Sequence, residues 1–324
     1  MSEVVLVTGA ATPGVALAAR RIAEAGDVRV VAVDTTLPTE DLGPVKFVRA
    51  DIRTPVISKV LAVEDVDTVV HMDLAPMRSR GAGSATKEIN VIGTMQVLAA
   101  CQRSDRVSRV VVASSAAVYG ASPRDPAVFT ESATARGGTK TGFSKDIVEV
   151  EGYTRGFARR RPDVCVTTLR MAQWLSPHFS TALGTYFSNP VLPVPMGFDA
   201  RLQLLHPQDA LEVIARAATQ DLPGTFNVAG EGVLMLSQAA RILGKPTLPL
   251  APLGFGPVLA RAAHYMGTDI SPGLHRLLTY GRVLDTSALR EIFGYAPRHT
   301  TRETFEWYAE TQRPGLLRVL GVTR

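Results

Sequence analysis

The chain has 324 residues, 46% of them hydrophobic and 20% charged, with 27 glycines and 21 prolines. This is ordinary globular usage with enough length for a large buried core, and it excludes disordered, collagen-like and low-complexity chains. Thirty-five basic against 30 acidic residues leave a formal charge of +5, too mild and too scattered to point to a nucleic-acid partner.

No apolar run reaches the roughly 18 residues of a membrane span, and the start carries no signal-peptide pattern. The expectation is a cytoplasmic protein with no membrane partner. Cys101 and Cys165, the only cysteines, both lie in apolar segments and read as small core residues. Only Arg159-Arg160-Arg161 forms a basic run, which reads as the solvated end of a helix.

Val4 to Val7 predicts a first strand, and Val15 to Ala25 repeats apolar residues at helical spacing before a cap at Gly26. Val28 to Val33 predicts a second strand, Val45 to Val48 a third, Pro55 to Ala62 a helix, and Asp67 to His71 a fourth strand. A long helix follows over Ala85 to Cys101. The uniformly apolar strand Val107 to Ala113, which must be covered on both faces, ends at Ser114-Ser115. A helix over Lys145 to Arg160 and a sixth strand over Val164 to Leu169 complete the alternation. This order predicts an α/β fold, a doubly wound parallel sheet of the Rossmann kind. Beyond residue 170 prolines break the pattern, and a smaller C-terminal substrate lobe is expected. The predicted division assigns 1–170 and about 203–230 to a dinucleotide-binding domain, 171–202 and 231–312 to the substrate lobe, and 313–324 to a tail.

In open parallel sheets, ligands lie beyond the carboxyl ends of the strands. Gly9, Ala11, Thr12, Pro13 and Gly14 stand between the first strand and the first helix, where backbone N–H groups and a helix N-terminus can meet a pyrophosphate. Asp34 closes the second strand, where an acid hydrogen-bonds the adenosine ribose. A carboxylate there repels a 2'-phosphate, so NAD is expected and NADP less so.

These residues, with His71, Asn90-Val-Ile-Gly93-Thr94, Ser114-Ser115-Ala-Ala-Val-Tyr119-Gly120, Leu169-Arg170 and His206-Pro-Gln-Asp209-Ala, resemble the extended short-chain dehydrogenase/reductase family. The likeness is to its sugar-nucleotide epimerases and dehydratases, of the UDP-glucose 4-epimerase type. It implies an NAD-dependent oxidoreductase acting on a nucleotide sugar, most simply a UDP-sugar, by transient hydride transfer. It further implies that Asp51 and Ile52 flank the adenine, that His71 and Asn90 adjoin the cofactor, and that Lys145 holds the nicotinamide ribose. Gln173, Arg201 and Arg282 take substrate-binding roles, and the helices over Ala85 to Cys101 and Lys145 to Arg160 pair two chains into a homodimer.

The sequence departs from the family at both ends of the site. Thr12 and Val15 stand at the second and third glycines of TGxxGxxG and are expected to crowd the loop. At the catalytic end Ser115 fits the substrate-polarising serine and Lys145 the lysine, but the tyrosine position four residues earlier holds Thr141. An aliphatic hydroxyl has no ionisation near neutrality, and loss of a general base costs about 10²–10⁴-fold. Tyr119 is a substitute candidate, with Asp73 and Glu131 behind it. The alternative function is therefore a catalytically impaired NAD-binding protein serving as sensor, scaffold or partner-binding surface. Dispersed histidines predict no metal, and the absent G-x-S-x-G elbow argues against a hydrolase.

Overall fold

In the computed structural model, residues 2–74, 87–133, 142–251, 256–257, 261 and 272–312 are described. The first half alternates as its apolar periods require: β1 (Glu3–Thr8), α1 (Pro13–Ala25), β2 (Val28–Asp34), β3 (Lys46–Arg49), α2 (Val56–Val63) and β4 (Thr68–His71). A π-helical segment, Glu88–Gly93, runs into α3 (Thr94–Arg103), followed by β5 (Arg109–Val112), α4 (Phe143–Arg160) and β6 (Cys165–Met171). The second half adds the short strands β7 (Gln173–Trp174), β8 (Leu192–Pro195), β9 (Arg201–Leu202) and β10 (Leu204–Leu205), with α5 (Ala182–Ser188) and α6 (Pro207–Thr219). β11 (Gly224–Val228), β12 (Leu234–Met235), α7 (Leu236–Leu243), β13 (Thr247–Leu250), α8 (Pro272–Tyr280), α9 (Ser287–Glu291) and α10 (Thr301–Glu310) complete it.

Seven strands form one sheet in the order β11-β6-β5-β4-β1-β2-β3. Pairings from β6 to β3 are all parallel, with Thr8 opposite His71 and Asp34 opposite Arg49. Strand order reverses beside β1, so the crevice expected of a doubly wound sheet opens at the carboxyl ends of β1 and β4. Parallel strands covered on both faces must be apolar throughout, and Val5, Leu6, Val7, Val69, Val70, Val110 and Val111 are indeed solvent-free.

The chain divides into two compact units. The first comprises 1–118, 145–170 and 210–226, and the second 119–144, 171–209 and 227–324. Segments 119–144, 203–209 and 227–230 thus fall in the second unit, a departure from the expected division. The reason is side-chain bonding: Tyr119 is tied to Thr130 and Asn227, and Gln203 to Gly230. In the first unit Leu6, Val31, Val33 and Val112 pack with Val97, Cys101, Val150 and Phe157. The second unit's core joins Leu175, Tyr186, Phe187, Leu202, Leu234 and Phe305, with the Phe187 and Phe305 rings edge to face at 4.9 Å. Gly26 ends α1 in extended backbone rather than as a left-handed cap.

Candidate dinucleotide site and anion site

The turn after β1 is shaped by contact with the exit of β4. Gly9 has φ +91°, and a Cβ there would lie 2.9 Å from the Asp73 Cα, so no side chain fits. Thr12, by contrast, is exposed in ordinary extended backbone (φ −82°, ψ 124°), and Val15 packs into the core at 6% exposure. Thr12 thus points to solvent and the Val15 side chain is taken up by the core.

A count of N–H groups shows what this loop offers an anion. Gly9 N and Ala10 N donate to Val33 O, Ala11 N to Asp34, Thr12 N to Gly9 O, and Val15 N and Ala16 N to Thr12 O. Pro13 at the first helical position has no N–H. Gly14 N, which makes no bond among the described residues, and the exposed Thr12 hydroxyl, which does not cap its own helix, remain. The residues fit a pyrophosphate, through one amide, one hydroxyl and the N-terminal end of a 13-residue helix.

Asp34 is 2% exposed. Its Oδ2 accepts from Ala11 N at 2.9 Å, and its Oδ1 from Thr35 N at 2.6 Å and Thr36 N at 3.3 Å. Asp51 is gripped by Arg53, with Nη2 to Oδ2 at 2.6 Å and Nε to Oδ1 at 3.0 Å. Its neighbour Ile52 lies in the core at 3% exposure, against Gly93, where a Cβ would come within 2.6 Å of the Ile52 Cδ1.

His71 ends β4, and Asn90 lies in the π-helical segment ahead of α3. Both are fully buried, so neither presents its side chain on an open surface. The Thr94 hydroxyl donates to Asn90 O and so accepts from His71 Nε2–H at 2.8 Å, while His71 Nδ1 accepts from the Thr8 hydroxyl at 2.8 Å. Burial pushes His71 down to about 4, and the ring stays neutral. Asn90 donates to Asp146 at 3.1 Å; burial pushes the Asp146 carboxyl up, and this bond opposes the shift. Both residues brace β1, β4 and the helices above them. The π segment around Asn90 left no signal in the sequence, where its apolar spacing merges with that of α3.

At the end of β5, Ser115 is half-buried and its Oγ accepts from Ala117 N at 3.2 Å. Lys145, in the first turn of α4, is exposed and pairs with Glu149 at 3.7 Å. Thr141 lies outside the described residues. Tyr119 is 1% exposed, stacks on Phe129 at 4.7 Å, and donates its hydroxyl to Asn227 Oδ1 at 2.7 Å. A phenol so enclosed packs the turn and is not a substitute base. Glu131 likewise accepts the Asn227 N–H at 2.8 Å. Sequence reasoning missed Glu151, which is 2% exposed. It accepts from Ser114 Oγ at 2.7 Å and from Arg170 Nη2 at 2.7 Å, and thereby ties α4 to the ends of β5 and β6. The signal was present as an acid, a serine and an arginine on three apolar elements.

In the second unit Gly281 (φ +73°) brings α8's exit onto β9: a Cβ there would lie 2.5 Å from Arg201 N. Arg282 N then donates to Arg201 O at 2.9 Å. The Arg282 guanidinium is 8% exposed, and its Nε donates to Gly120 O at 2.8 Å. Its terminal nitrogens have no acceptor among the described residues. Burial pushes this cation down to about 10, with Asp125 and Tyr119 opposing the shift, so it remains charged. Arg201 is exposed and Gln173 half-exposed.

Among the described residues His206, Asp209 and His299 combine metal-ligand types. Asp209, however, accepts from Tyr295 Oη (2.6 Å), Arg298 N (2.8 Å), His299 N (3.1 Å) and His299 Nδ1 (2.9 Å). The two imidazoles stack at 3.8 Å and 18°, so their in-plane lone pairs do not converge. The cluster is suited to closing α6 against the C-terminal segment rather than to holding an ion.

Residues 5–229 match the NAD dependent epimerase/dehydratase family, and the chain belongs to it. An uncharacterized protein of Mycobacterium tuberculosis is 46% identical over 314 residues, covering 94% of this chain and 83% of that protein, as is one of Mycobacterium bovis. Among solved structures, dTDP-glucose 4,6-dehydratase from Bacillus anthracis, in complex with NAD, aligns with TM-score 0.71 at 14% identity, covering 96% of each chain. UDP-glucose 4-epimerase from Thermotoga maritima, with UDP-glucose, aligns with TM-score 0.70 at 16% identity, covering 95% of this chain and 98% of that one. At such identities the likeness establishes the fold. No helix of the described residues is long and apolar enough to cross a membrane.

Proposed function

We propose that the chain binds NAD at the carboxyl ends of β1 and β2 and acts as an epimerase- or dehydratase-type oxidoreductase on a nucleotide sugar. The observation that carries the substrate class is Arg282, a nearly buried cation whose planar end has no partner among the described residues. Its terminal N–H groups lack acceptors among these residues, and a diphosphate would supply the two oxygens that this fork matches. Arg201, joined to it through the backbone, adds a second cation, and Gln173 an amide.

Bound NAD would supply a hydride acceptor. Gly14 N and the Thr12 hydroxyl would hold its pyrophosphate, Asp34 would stiffen the turn beneath it, and Asp51 with Ile52 would border the adenine. Lys145 would bond the nicotinamide ribose, while Ser115 would donate to the substrate oxygen. Ile92 and Met95 on the π segment and α3, and Tyr153 on α4, are apolar side chains 43, 42 and 39% exposed, which supports pairing of these helices in a homodimer. Two free thiols accord with a cytoplasmic setting.

Thr141 favours a second reading: an NAD-binding protein of little turnover, acting as a sensor, scaffold or partner-binding surface. Calorimetry with NAD and with UDP-glucose tests the two sites, and absorbance of reduced nicotinamide tests chemistry. Restoring the phenol by Thr141→Tyr is expected to raise turnover about tenfold or more. Binding of both ligands with no turnover in either protein would favour the second reading, and absence of NAD binding would overturn both.

A further inference from the structure

The adenosine end of the crevice holds a cation that the sequence reading passed over. The Asp34 Oδ1 accepts from Thr35 N, Thr36 N and the Thr35 hydroxyl, and its Oδ2 from Ala11 N. Because the group is 2% exposed, its charge is spent on the turn that it braces and little faces outward. The expected repulsion of a 2'-phosphate rested on an open carboxylate.

Directly opposite in the β2–β3 register stands Arg49. Its Nε donates to Thr35 O at 2.8 Å, which anchors the guanidinium beside the end of β2. The side chain is exposed, and its two terminal nitrogens have no partner among the described residues. The exposed Thr36 follows on the same turn. An anchored, planar fork with both Nη groups open is the donor set that phosphate oxygens take in pairs.

We propose that Arg49 makes this end of the crevice a 2'-phosphate subsite, so that the chain binds NADP at least as readily as NAD. The inference rests on the dinucleotide site proposed above and deepens it by naming the residue that chooses the coenzyme.

Titration calorimetry of the full chain with NAD, NADP and the fragment 2',5'-ADP tests it without recourse to turnover. NADP is expected to bind within about threefold of NAD or more tightly, and 2',5'-ADP to bind where 5'-AMP is weak. Arg49→Ala should weaken NADP and 2',5'-ADP about tenfold or more while NAD changes less than about twofold, and Arg49→Lys should recover part of the loss. NAD binding with NADP at least about tenfold weaker, or an equal loss of both coenzymes in Arg49→Ala, would overturn the proposal and leave the dinucleotide site standing. Failure of both coenzymes to bind would remove the site and the proposal together.

Discussion

The imidazole of His71 takes a hydrogen bond from Thr8 and gives one to Thr94, with no solvent contact. Its pKa falls from the ordinary 6.5 to about 4 because burial disfavours the charged ring. Between those values the unfolded chain binds a proton that the folded chain refuses, so stability rises with pH through the window. It is lost as pH falls below about 6.5, by up to about 3 kcal/mol near the acid end. His206, lowered to about 4 by burial and by the charge of His299, acts in the same direction. Urea denaturation at about pH 7.5 and about pH 4.5 should show this loss, and His71→Asn should make it shallower while lowering stability at the higher pH. Position at a strand end made His71 visible in the sequence, but its burial depends on the helix laid over it, which composition does not report.

Helix α4 works at three places along its length. Lys145 opens it, Glu151 anchors its middle, and Arg159 and Arg160 offset its dipole at the C-terminal turn. Arg161, read with them as a solvated cation, instead turns inward and donates to Cys101 O and Ser104 O at 3.0 and 2.9 Å, closing the end of α3. The buried Glu151–Arg170 pair makes the larger demand, since removing one partner strands a charge in the core. Glu151→Ala is expected to cost about 3–5 kcal/mol, and Glu151→Gln less because an acceptor for Ser114 survives. Chemical denaturation followed by circular dichroism would check both, and equal losses would refute the ion-pair account. Helical periodicity revealed α4, whereas its partners across the sheet come from residues 37 and 19 positions away.

For the whole molecule, the proposed homodimer is the feature that solution measurement can decide. Sedimentation at micromolar concentration is expected to show a dimer, and Met95→Glu with Tyr153→Glu to shift it to monomer; a wild-type monomer would refute it. The strand and helix alternation, and hence the sheet, could be read directly because strands covered on both faces must be apolar and crossover helices must present one apolar stripe. Gly9, Asp34, Ser115 and Lys145 could be located for the same reason, since each follows or opens a recognisable element.

Hydrogen-bond demand, in contrast, is a property of space. The sequence by itself determined a doubly wound sheet and set the candidate residues at its carboxyl edge. Only tertiary structure decided that Asp34 is consumed by its own turn, that Arg49 stands open beside it, that Tyr119 is sealed in, and that Arg282 keeps an unmatched end. Each of those outcomes depends on which distant groups arrive within about 3 Å of a polar atom, and periodicity along the chain carries no such information.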